Sequence, residues 1–85
     1  MKIVFTFMQE VWEEYPDLVT NVFDSEEELL DKWLENFMSY GLKDPDTDEV
    51  MNEDTVKDVL LGKWNGERIE ADGLASYTFS VVKVV

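Results

Sequence analysis

An acid–base enzyme needs a group that moves protons near neutral pH, and this chain offers few. Its 85 residues contain no histidine and no cysteine. That removes the usual general base, the thiol nucleophile and the thiolate metal ligand together. Ser25, Ser39, Ser76 and Ser80 have no imidazole to activate them, and Ser25 is explained better as a helix cap. What the chain has in quantity is carboxylate: twenty Asp and Glu against seven Lys and Arg, a formal net charge of −13. Two carboxylates can work as acid and base, yet among twenty a pair arises by chance. A chain this short also has little room for a deep pocket. The residues predict a protein without enzymatic activity and without a cofactor.

A second possible chemistry is cation binding. Asp44-Pro45-Asp46-Thr47-Asp48 places carboxylates at positions 1, 3 and 5 of an EF-hand-like loop, with Asn52 at position 9. Two positions fail: Glu49 stands where the sharp turn wants Gly, and Thr55 where a bidentate Glu would close the site. No metal site is expected, and a calcium-linked regulator ranks as an alternative. The plainer reading is a solvated acidic loop whose aspartates favour turns.

The third chemistry is recognition by charge. Residues 10–54 hold sixteen Asp and Glu against Lys32 and Lys43, a net −14, while the other forty sum to +1. Such a field excludes nucleic acid and anionic membrane as direct partners, since like charges repel over about 10 Å. It favours a basic protein, including a nucleic-acid-binding enzyme whose groove would accept a row of carboxylates. The candidate contacts are Glu10, Glu13, Glu14, Glu26, Glu27, Asp31, Glu35, Asp44, Asp46, Asp48 and Glu49. Trp12 and Tyr15 join them. These two either pack over a sheet edge or stand as exposed aromatic anchors ringed by charge, the composition that hot spots favour.

The elements that must position these residues are legible from pattern. Ile3 to Met8 reads as a strand apolar on both faces, hence central, and Leu18 to Phe23 as its antiparallel neighbour. Gln9 to Pro16 breaks the pattern between them. Ser25 with Glu28 forms a capping box, Glu26 to Glu28 suit the helix dipole, and Leu29, Leu30, Trp33, Leu34, Phe37 and Met38 recur at helical spacing. This predicts a helix over 26–40, ended by Gly41 with Leu42 as its apolar partner. Along it Asp31 and Glu35 repel, with Glu28 to Lys32 as an offset. After the acidic loop of 43–51, Asn52 or Asp54 caps a second helix bearing Val56, Val59 and Leu60, which Gly62 ends. Asn65-Gly66 and Asp72-Gly73 read as type I′ hairpin turns. They separate a short arm at Lys63-Trp64, a strand over 67–71 and a last strand over 74–85. The fold predicted is α+β in a single domain over 1–85. Its order is β-β-α-α-β-β, with about four antiparallel strands and two helices on one face.

Strand one at Met1-Lys2-Ile3, strand two running into Val22-Phe23-Asp24-Ser25-Glu26-Glu27-Glu28-Leu29, and the closing Ser76-Tyr77-Thr78-Phe79-Ser80-Val81 together resemble small acidic proteins encoded by bacteriophages. Some of those are DNA mimics or inhibitors of host defence, including anti-restriction and anti-CRISPR proteins. The resemblance covers about half the chain, carries no defined motif and transfers no functional residue. It implies an inhibitor acting in a host cytoplasm. The absence of cysteine suits a reducing compartment, and the opening apolar run, polar again by Gln9, is too short for a signal peptide or membrane span. The alternative of another class is a structural or accessory subunit, using Val81-Val82-Lys83-Val84-Val85 as an apolar sheet edge. Either a monomer or a homodimer is compatible with the sequence.

Overall fold

Alternation along the first strand decides which side of the sheet becomes the core. In β1 (Lys2–Val11), Ile3, Phe5 and Phe7 point one way and are buried, while Val4, Thr6 and Met8 point the other and are half-exposed. A computed structural model describes every residue except Leu74, which the predicted last strand included. Its order is β1, β2 (Asp17–Phe23), α1 (Glu26–Ser39), α2 (Glu53–Leu60), β3 (Arg68–Glu70) and β4 (Ala75–Val84). The sheet is antiparallel throughout, in the spatial order β2-β1-β4-β3. The fold is therefore α+β with the predicted element order. β1 is central as expected, and it is longer than expected. Gln9, Glu10 and Val11 stay in the strand because Tyr77, Ser76 and Ala75 of β4 pair with them, so the break predicted at Gln9 begins only at Trp12.

Both helices contribute to one core on the face of Ile3, Phe5 and Phe7. It joins Phe23, Leu29 and Phe37 to Val56, Val59 and Leu60 of α2, and to Ile69, Tyr77, Phe79 and Val81 of the sheet. Ser25 accepts a hydrogen bond from the Glu28 N–H at 3.2 Å, and the Glu28 carboxylate accepts one from the Asp24 N–H at 3.0 Å. Such a cap stabilises a helix by about 1 kcal/mol. Because Glu28 is engaged there, the offset expected from Lys32 does not form; Lys32 lies over the Trp33 ring at 5.6 Å. Asn52 is the cap of α2, its side chain accepting from the N–H and the hydroxyl of Thr55, both at 2.9 Å.

Two turn assignments change. A type I′ turn needs positive φ at both central residues, but among the described non-glycine residues only Glu13 and Asp48 have it. Residues 61–66 form a run of turns with no strand at Lys63-Trp64. Asn65 serves a distant partner instead. Its amide donates to the Val81 carbonyl and its oxygen accepts from the Val81 N–H, each at 3.0 Å. Asp72-Gly73 does lie in the β3–β4 hairpin, closed by the Ala71 N–H on the Ala75 carbonyl at 3.0 Å. β4 is third in the sheet, but β3 pairs only with its Ser76–Thr78 stretch; beyond that Asn65 bonds the backbone of Val81, while β1 pairs the other side of β4 as far as Val84.

Tyr77, buried in this core, stacks on Tyr40 at 5.5 Å. Burial, and secondarily the neighbouring Tyr40 phenol, raise its pKa above the ordinary 10.0. A folded-state pKa above the unfolded one favours folding fully below pH 10 and progressively less as pH climbs through the raised value. Thermal melts should therefore show Tm falling above pH 10, and the fall should shrink in Tyr77→Phe.

Candidate functional site

The helix that buries Leu29 and Phe37 must show water its opposite side, and that side is acidic. Glu27, Asp31 and Glu35 follow one another at four-residue intervals and are all exposed. This spacing puts their carboxylates on one stripe, each about 6 Å further along the axis. Each adjacent pair opposes the helix by about 0.2–0.5 kcal/mol. None of the three has an ion-pair partner among the described residues; the ion pairs found are Lys2–Asp24 and Lys83–Glu26, the latter at 3.1 Å. Hydrogen bonding and charge from the Lys2 ammonium hold the Asp24 carboxyl below its usual range, and Asp24 in turn raises Lys2. Glu26, one of the predicted contacts, is thus partly neutralised, and Lys83 serves it at the helix start.

The stripe runs from that ion-paired end, beside Ile3 and Lys83, towards the end where Tyr40 meets Tyr77. At this second end the other predicted residues gather in two segments. One is the loop of Asp44, Asp46, Asp48 and Glu49, a small closed structure of its own. Lys43 and Val50 form a bridge, Asp44 accepts from the Asp48 N–H and donates to Glu49, and the Asp44 carboxylate accepts from the Asp46 N–H at 2.8 Å. No group of three or more carboxylates able to hold a metal occurs among the described residues. The other segment is the hairpin tip, where Glu13 adopts φ 65° and the Glu14 N–H bonds the Val11 carbonyl. Trp12 is 69% exposed and Tyr15 96%, so both side chains stand largely in solvent.

Trp12 also borders a half-open cleft of about 220 Å³ with Lys43, Arg68, Glu70 and Ser76. Ser76 accepts from Arg68 Nε at 3.0 Å. Arg68 and Lys43 were not among the predicted contacts, though Arg68 carried a signal as the one arginine of the chain. Glu10 is separated from the other predicted acids: its pairing with Ser76 puts it, with Glu70, on the sheet face turned away from the helices. The predicted residues therefore form a helix stripe, a two-part acidic end and one outlier, not a single patch.

No family model, curated protein or solved structure matches this chain. The distribution of charge is what remains to indicate a function. No helix among the described residues is long and apolar enough to cross a membrane.

Proposed function

We propose that this chain is a non-catalytic binding protein whose acidic helical side and adjoining loops dock on a basic protein surface. The observation that carries the reading is the exposed Glu27–Asp31–Glu35 stripe, left without counter-charges in a chain of net charge −13. The Glu27–Asp31 and Asp31–Glu35 repulsions oppose the helix slightly, and a basic partner converts that cost into attraction. Trp12 and Tyr15, exposed beside Glu13 and Glu14, add apolar contact area at one end of the stripe. The finer form of the proposal is an inhibitor: the partner's basic groove is one that otherwise holds a nucleic-acid backbone, and the chain competes for it. The resemblance to phage-encoded inhibitors supports this form.

The test is calorimetric titration against a panel of basic nucleases, with and without competing DNA, at low and high salt. Wild type should bind a nuclease, be displaced by DNA and weaken steeply with salt. The triple variant Glu27→Lys, Asp31→Lys, Glu35→Lys should bind at least about tenfold more weakly, some 1.4 kcal/mol. Binding that ignores salt, DNA and the triple variant alike refutes the proposal.

A further inference from the structure

The sheet has a second face that no helix covers, and its composition differs from the rest of the surface. Register places its side chains in rows across β2, β1 and β4. Val22, Val4 and Val82 form one row, Thr20, Thr6 and Ser80 the next, and Leu18, Met8 and Thr78 a third. The middle row is tied by a Thr6–Thr20 hydroxyl contact at 3.2 Å. Val22 is 60% exposed, Leu18 70% and Val82 51%. None of these nine positions is charged, in a chain where 32% of residues are. Charge beside this face lies around the rows, at Lys2 with its ion-pair partner Asp24 and at Glu10, Arg68 and Glu70. A solvated antiparallel face would carry polar residues at most of these sites.

We infer that this open face is where a second copy of the chain packs, sheet on sheet. Charge selects that occupant. The helical side repels another copy, and the neutral face is the one surface through which two molecules of net charge −13 can approach. Stacked sheets lie about 10 Å apart with each helix layer about 10 Å further out. The acidic stripes then stand roughly 30 Å from each other, several Debye lengths at physiological salt. Three strands about 4.8 Å apart and seven residues long give a footprint of roughly 700 Å² over both copies, the size of a weak, transient interface. Such a dimer is modest, with Kd in the range of about 10–100 µM. It leaves two acidic sides facing outward. The inference does not depend on the proposed function, because its test needs no partner.

Sedimentation equilibrium of the full chain, from about 5 to 500 µM, should show a mass rising from 9.9 kDa towards twice that, and added salt should not reverse the rise. Val82→Lys should weaken association at least tenfold with the circular dichroism spectrum and Tm retained. Should that variant unfold, Ser80→Lys on the same strand decides the matter. Glu35→Lys, on the helical side, should leave the dimer intact. A monomer at every concentration overturns the inference. So does a dimer that survives both β4 substitutions, since that would mean association through another surface, and so does one abolished by Glu35→Lys.

Discussion

Phe37→Ala should leave the protein largely unfolded at 25 °C. Phe37 is fully buried, and five aromatic rings surround it: Phe7, Trp33, Tyr40, Tyr77 and Phe79, with centroids between 5.1 and 5.8 Å. With Trp33, which meets Phe5 and Phe7, it holds α1 to the sheet. Truncating a buried Phe to Ala costs about 3–5 kcal/mol in lost transfer energy and cavity. Edge-to-face aromatic geometry adds about 0.5–1.5 kcal/mol per pair. A domain of this size, without disulfide or metal, has about 3–5 kcal/mol in all. Rigid aromatic walls do not collapse into the hole as aliphatic ones would, which puts the cost at the upper end. Phe37→Leu should cost about 1–2 kcal/mol and remain folded. Urea melts followed by Trp fluorescence separate the outcomes, and a cooperative native transition in the Ala variant would contradict this account of the core.

The second large effect is expected at a residue with no side chain. Gly41 ends α1 at φ +69°, and a Cβ there would lie 2.9 Å from the Asp72 Cβ. Asp72 cannot retreat easily, because its N–H bonds the carbonyls of Tyr40 and Gly41, both at 3.1 Å. Gly41→Val therefore combines a left-handed conformation that β-branched residues avoid with a backbone displacement. The expected loss is about 3 kcal/mol. Gly66 is the control: its φ is +81°, but a Cβ there would find nothing within 4 Å. Gly66→Ala should cost only about 1 kcal/mol. Equal losses at the two sites, measured by the same urea melts, would mean that the contact with Asp72 is unimportant.

What could be read in the sequence and what could not divides along local and distant causes. The Ser25 cap, the apolar stripe of α1 and the Gly41 stop lie within one stretch of chain, so the helix was readable almost to its ends. Gln9 and Glu10 look like the end of a strand when read alone. Pairing with Tyr77 and Ser76, nearly seventy residues away, keeps them in β1. Asn65-Gly66 carried the signature of a tight hairpin, yet Val81 claims the Asn65 amide, a tertiary contact that local preference cannot register. The acidic residues could be counted, but not assigned to sides. Only the sheet order separates Glu10 from Glu13, and only the ion pair with Lys83 sets Glu26 apart from Glu27. The neutral face was written in alternate residues of three strands and became legible once their register was known.

That β1 and β4 are the middle pair of the sheet has a consequence for how the chain acquires its structure. They are the first and last elements, paired over ten residues from Lys2–Val84 to Val11–Ala75. During synthesis on a ribosome, the β1–β2 hairpin and α1 emerge early, with Phe5, Phe7 and Phe37 ready to be covered and Tyr77 and Phe79 not yet made. The intervening chain cannot close its longest loop until β4 appears, and loop-closure entropy makes pairing between such distant strands slow. Until then the nascent polypeptide has half a core, and a growing stretch of carboxylates that repel one another keeps it from its neighbours.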